Sequence, residues 1–328
     1  MKKLALFLLC LPLLQACKVD TDFDGPDLND LYGPYALTEG LSSSRDSVDF
    51  SMGESVLFTA GFSKRVDWTL SIKGLTSGAQ KVQKEFGSAV GFDWKGETTV
   101  FPMFRSEWCA VELTVENQAD TLRDTVYVVA PKVNNGFLLS DFEMGLNPSW
   151  QSFIQSGQNM SFGLLNNGDI PQGQRAYRMG GTVTWDWLIG MIDIPASAYG
   201  QTYYPLSSNA NNVYFNMLMN KPADYDNGVL LLRFMEDDNE DGSFTSGSED
   251  MYAVEIKGGP DGWRLVSLKY NDIKSLVNGV ESAPDGNGIH EPNKLVQVSM
   301  LFLANPASGY SETAIDYVMF TEGSPLQP

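Results

Sequence analysis

Val213-Tyr214-Phe215-Asn216-Met217-Leu218-Met219-Asn220 sets Val213, Phe215, Met217 and Met219 against Tyr214, Asn216, Leu218 and Asn220. Side chains of an extended chain alternate between two faces, so this pattern predicts a strand with one face in a core. Working outward, Tyr252, Val254 and Ile256 repeat the device against Ala253, Glu255 and Lys257. Val229 to Met235 is a nearly continuous apolar run, as expected of a central strand covered on both faces. Lys294 to Leu303 and Ala314 to Phe320 complete the set, and only Tyr270 to Val277 looks helical. Residues 137–325 therefore predict one large jelly-roll (galactose-binding-like) β-sandwich.

Residues 37–132 predict a second, smaller sandwich. Val66, Trp68, Leu70 and Ile72 alternate with Asp67, Thr69 and Ser71, and Cys109, Val111, Leu113 and Val115 with Ala110, Glu112, Thr114 and Glu116. Ser55–Ala60, Thr98–Phe104 and Thr125–Ala130 are further candidate strands. Several short strands separated by Gly, Ser and Asn turns indicate an Ig-like sandwich without the Cys…Trp…Cys framework. Turn residues from Pro131 to Gly136 read as the linker. The fold class is all-β, an N-terminal Ig-like sandwich followed by the larger jelly roll.

Composition narrows the function. The 328 residues carry 22 Lys+Arg against 41 Asp+Glu, a formal charge of −19, and no basic run offers counterion release, which argues against nucleic acid. A single histidine, His290, rules out multi-histidine metal sites and leaves little room for a Ser-His-Asp triad; it sits in a loop where exposure is the default. Cys10, Cys17 and Cys109 do not make a disulfide scaffold, and Cys109 reads as a small core residue.

Met1-Lys2-Lys3 followed by the apolar run Leu4–Leu14 has the pattern of an export signal. Leu14-Gln15-Ala16-Cys17 resembles the lipobox of bacterial lipoproteins, which implies a signal peptide over 1–16 and acylation of Cys17. The acidic stretch Lys18 to Gly25, within a flexible tether over 17–36, resembles the export signal of surface lipoproteins of the Bacteroidetes. That resemblance implies an outer-membrane, cell-surface protein held to the membrane through its lipid anchor only. Ser140-Asp141-Phe142-Glu143, Gly262 to Leu268 and Ala314 to Phe320 are similar to the opening, middle and closing strands of carbohydrate-binding-module-like domains.

Two segments could carry chemistry. Seven carboxylates and no basic residue lie between Glu236 and Asp250. Asp237, Asn239, Asp241 and Gly242 match the first half of a calcium loop, and Glu249 stands one residue late for the closing ligand. Asp237, Asn239, Asp241 and Glu249 are the candidate ligands for a structural calcium ion; a solvated acidic hairpin loop is the alternative. Trp185 and Trp187, two residues apart, would share one face of a strand and stack on sugar rings, although Ile189 and Met191 continue that face and assign at least one tryptophan to the core. Tyr203 and Tyr204 read as a loop platform, Asn216 and Arg233 could line a concave face, and Trp263 reads as core. No nucleophile elbow, phosphate loop or zinc spacing occurs, so an enzyme is not expected.

Taken with the resemblances, the expected protein is a surface lipoprotein that binds a glycan or oligosaccharide beside an outer-membrane transporter complex, as in starch-utilisation-like systems. The alternatives are a transporter-associated subunit binding peptide or the transporter itself, a structural or fimbrial component, and a glycosidase.

Overall fold

The computed structural model describes residues 33–166 and 169–328, so Cys17, the signal and most of the tether lie outside the described residues. Among the described residues the regular structure is nineteen strands and six 3-10 turns, with no α-helix. The expected helix at Tyr270–Val277 is one such turn, Tyr270–Asp272, followed by a short strand.

The first domain contains β1 (Leu37–Ser43), β2 (Ser47–Asp49), β3 (Val56–Gly74), β4 (Gln80–Trp94), β5 (Glu107–Val115) and β6 (Thr121–Ala130). They form one ladder in the order β1-β3-β5-β6-β2, with β4 also on β3 and β2 parallel to β6. The long β3 folds this ladder into a sandwich. Gly61 pairs with Ala89 and Val66 with Gly87, so β3 carries extra residues that bend it, as a bulge does. Before the bend β3 pairs with β1, and beyond it with β5. Val56 and Phe58 from one half thereby share a core with Trp68, Leu70, Cys109, Val111 and Val126. The stretch Thr98–Phe104, expected as a strand, makes only an isolated bridge at Val100 and crosses instead to the second domain.

The second domain contains β7 (Phe137–Ser140), β8 (Gln151–Ile154), β9 (Gly157–Leu165), β10 (Ala176–Val183), β11 (Leu188–Pro195), β12 (Val213–Lys221), β13 (Gly228–Glu236), β14 (Met251–Lys257), β15 (Gly262–Lys269), β16 (Leu276–Val277), β17 (Val280–Glu281), β18 (Leu295–Ala304) and β19 (Ser311–Glu322). Two antiparallel sheets face each other, β15-β12-β19-β10-β9 with β7 on β19, and β14-β13-β18-β11-β8. Phe215, Met217, Val318 and Phe320 of the first meet Ile192, Leu230, Leu232, Phe234, Val298 and Met300 of the second. Phe215 lies edge-on to Phe234 at 5.1 Å and to Phe320 at 5.3 Å. Each such side chain contributes about 1.5–3 kcal/mol through removal from water.

The outer faces of the two sheets differ. Leu218, Tyr317 and Met319 of the first sheet are covered by Met103 and Phe101 of the other domain and by Leu326 of the C-terminal tail, with Trp263 partly buried at the same seam rather than in the sandwich core. Backbone bonds fix the seam, Met103 N–H to Pro171 C=O at 2.6 Å and Thr98 N–H to Pro328 C=O at 2.8 Å. Among the described residues the outer face of the five-stranded sheet has no such cover.

Burial pushes the Cys109 thiol up to about 12, with Glu107 adding to it. A protein truncated to remove Cys10 and Cys17 will leave a disulfide reagent unreacted at mildly alkaline pH while folded, and will consume one equivalent once unfolded in guanidinium.

Candidate functional site

Strand register builds the uncovered face row by row. Gln151 of β8 pairs with Asp193 of β11, Asp193 with Ser299 of β18, and Ser299 with Arg233 of β13. Four polar side chains therefore cross four neighbouring strands, spanning about 14 Å at the usual strand spacing. Two residues along each strand lies an apolar row, Phe153, Met191, Leu301 and Leu231, and Glu255 of β14 closes it. On the other side Gln297, Met235 and Met251 align, with Pro195 beside them. The middle of the face, at Ser299 and Leu301, is nearly closed to solvent, while Phe153 at the edge is exposed.

The polar row is partly tied together and partly free. Ser299 Oγ donates to Asp193 Oδ1 at 2.5 Å, and Gln297 Nε2 donates to Ser299 Oγ at 3.0 Å. Among the described residues the Arg233 guanidinium donates no hydrogen bond, so its donors remain available. Burial lowers its pKa from the ordinary value, and the nearby Asp193 charge opposes that shift.

The six residues expected to contact ligand do not assemble as expected. Arg233 faces outward on the open sheet. Trp185 and Trp187 lie not on a strand face but in the bend between β10 and β11, 68% and 52% exposed, so neither belongs to the core. The Trp187 carbonyl accepts from Ala304 N–H at 2.8 Å, which fixes this loop at one end of β18. Tyr203 lies towards the opposite end, half-buried, its hydroxyl donating to Asp237 Oδ2 at 2.9 Å; burial, then Asp237, push it up to about 12. Tyr204 is a core residue whose hydroxyl donates to the Ile194 carbonyl at 2.5 Å, so it provides no platform. Asn216 is buried on the covered sheet, bonded to Tyr214 C=O, Thr321 Oγ1, Ser267 and Leu326 N–H, and cannot reach a ligand. The expectation that Val229–Met235 is covered on both faces fails too, because Leu231, Arg233 and Met235 are only half-buried.

The acidic loop sorts into two sets. Asp237 accepts from Asp241 N–H and Gly242 N–H, Asp241 from Ser243 N–H, and Glu249 from Asn239 N–H and Thr245 N–H, so these predicted ligands are engaged in holding the loop. Asn239 accepts from Asp241 N–H. The carboxylates that converge are their immediate neighbours, Glu236, Asp238 and Asp250, with one oxygen from each within 4.8 Å of the others. Burial pushes Glu236 up to about 8, and Asp238 and Asp250 push the same way. His290 is not a free loop residue, for its ring stacks on Tyr252 at 3.8 Å and its Nε2 lies 2.8 Å from the Ile273 carbonyl.

Sequence reasoning missed Met191, Asp193, Ser299 and Leu231 on the open face, and Glu236, Asp238 and Asp250 in the loop. A legible signal existed for Glu236. It continues the inward phase of Leu230, Leu232 and Phe234, where a carboxylate is out of place without a partner.

No protein-family model matches the sequence, and no curated protein matches it. Among solved structures the chain is similar to the family 11 carbohydrate-binding module from Clostridium thermocellum in complex with a β-1,3-1,4-mixed-linked tetrasaccharide, at 11% identity over 57% of this chain and 96% of that one, TM-score 0.38. It is also similar to SGBP-B from a complex xyloglucan utilization locus in Bacteroides uniformis, at 10% identity over 88% and 73% of the two chains, TM-score 0.35. A third is the CBM22-1 xylan-binding domain from Paenibacillus barcinonensis Xyn10C, at 10% identity over 58% and 97%, TM-score 0.32. The all-β sandwich architecture stated above rests on this chain's own strand order and register.

The two faces of β13 make a test. Phe234→Ala will cost about 3–5 kcal/mol in guanidinium denaturation, because it opens a cavity between the sheets. Leu231→Ala will cost no more than about 1 kcal/mol, since its side chain leaves no enclosed void. Equal losses would mean that the second face is covered after all.

Proposed function

We propose that this chain is a lipid-anchored, outward-facing surface protein that captures a neutral polysaccharide on the open face of its second domain, close to an outer-membrane uptake system. The observation that carries the ligand class is the pairing of an apolar row with a polar row on an uncovered sheet. Sugars present C–H-rich faces edged by hydroxyls, so a binding surface needs apolar area beside spaced donors and acceptors. Met191 and Leu231 supply the first, with Phe153 at the edge, and Gln151, Asp193 and Arg233 the second. Trp185 and Trp187, exposed at one end, would stack on a chain that runs past the sheet. The charge of −19 disfavours acidic polysaccharides, which leaves neutral ones.

Capture without cleavage fits the carboxylates of this face. Asp193 and Glu255 lie on β11 and β14, with β18 and β13 between them, a separation of about 14 Å or more at normal strand spacing. Glycoside hydrolysis uses two carboxyls about 5–9.5 Å apart. Glu255 is moreover ion-paired with Lys257. Anchoring rests on the Leu14–Cys17 pattern and the acidic residues after it, and the Ig-like domain would hold the open face away from the membrane.

Affinity electrophoresis against xyloglucan, mixed-linkage β-glucan, xylan and starch tests the ligand. At least one polymer will retard the protein, and Arg233→Ala and Leu231→Ala will each weaken retardation roughly tenfold or more, the loss expected of a charged hydrogen bond or an apolar contact. No retardation by any neutral polymer would overturn the reading, as would binding that survives both substitutions and is lost on Trp185→Ala alone. For the anchor, labelled fatty acid will be incorporated into the expressed protein and not into a Cys17→Ala variant.

A further inference from the structure

The geometry points to a calcium site formed by the carboxylates of Glu236, Asp238 and Asp250, distinct from the alternate residues that the loop motif suggests. Strand pairing brings two of the three together. Met235 pairs with Met251, and the next step outward sets Glu236 against Asp250, with Glu236 N–H donating to Asp250 C=O at 3.0 Å. Both side chains continue the core-facing phase of their strands and both are fully buried. Like charges directly opposite each other on paired strands are destabilising, and more so away from water. Lys294 pairs with Glu240 and Glu291, and among the described residues no ion pair reaches the three carboxylates.

A second observation identifies what is missing. Glu236 Oε1 accepts from Tyr270 hydroxyl at 2.7 Å and from Glu291 N–H at 2.9 Å, whereas Oε2 is buried with no hydrogen-bond partner. An unsatisfied carboxylate oxygen in the interior is strongly unfavourable unless something binds it. The other two carboxylates are held in place around it. Asp250 accepts from Gly286 N–H at 2.8 Å and Gly288 N–H at 2.6 Å, and Asp238 accepts from Asn287 N–H at 3.1 Å. Gly286 is required for this approach, since a Cβ there would stand 1.8 Å from Asp238 Oδ2. Three oxygens within 4.8 Å of one another fit around a single ion whose Ca–O distances are about 2.3–2.6 Å, and an all-oxygen set of irregular shape suits calcium better than magnesium. The bound ion would pin the β13–β14 connection to the segment 286–291, at the Tyr203 end of the open face.

This inference does not depend on the glycan reading, and a protein that binds calcium but no polysaccharide would leave it standing. Titration of the purified, metal-stripped protein with calcium, followed by calorimetry and by terbium luminescence sensitised through the neighbouring Tyr252 and Tyr270, tests it. Calcium will bind and raise Tm, and a chelator will reverse the rise. Asp238→Asn, at a half-buried position, will weaken binding at least tenfold, whereas Asp241→Asn will leave it unchanged. Glu236→Gln keeps an acceptor for Tyr270 and the shape of the side chain, so in chelator its Tm will stay near that of the wild type while the calcium response is lost. Absence of calcium binding would overturn the assignment. So would loss of binding in Asp241→Asn with binding intact in Asp238→Asn.

Discussion

The apolar contact of Phe101 and Met103 with Leu218, Tyr317 and Met319 decides which surface of this molecule is free. Each sheet of the second domain has an inward face buried against the other and an outward face that also carries large apolar residues. An antiparallel sheet ordinarily solvates its second face with polar side chains. On β12 and β19 the outward apolar groups are accounted for, because the first domain and the C-terminal tail lie on them. On β13, β18 and β11 they are not, and Leu231, Met235, Met191 and Leu303 stay half-exposed around a polar row. The proposed glycan surface rests on that asymmetry.

What the sequence disclosed follows from how strongly each strand alternates. In Val213–Asn220 and Tyr252–Lys257 the residues that the period sends inward do face the sandwich core, but on Val213–Asn220 the second face is covered as well, at Asn216 and Leu218. The long β4 left little trace, because Lys81, Lys84 and Glu85 interrupt it and most of its side chains are at least partly exposed. Val229–Met235 looked like a doubly covered strand because period alone cannot separate an apolar face under protein from one left open. The tryptophan pair was legible as residues but not as geometry, for a bend at Thr184–Trp187 frees both rings from the alternation that Ile189 resumes. In the acidic loop the motif drew attention to every second residue from Asp237, while the strand phase of Glu236 and Asp250 decides which carboxylates meet.

The two proposed sites would divide the work by position along the sheet. The acidic loop at one end holds together the turn beyond β13 and the segment leading into β18, two of the strands whose outward side chains form the polar row. The tryptophan loop at the other end projects rings into solvent. Between them Asp193, Ser299 and Arg233 are set by strand register, which needs no loop to order on binding, and binding to preordered groups sacrifices little conformational entropy.

Methyl NMR of methionine-labelled protein tests the central claim most directly, since methionines lie on both faces of the same sandwich. With a bound neutral oligosaccharide the account predicts shifts at Met191, Met235 and Met251 on the open face, while Met217 and Met300 between the sheets stay unmoved. Saturating oligosaccharide that leaves the three outward methyls where they were, and perturbs methionines elsewhere, would contradict it.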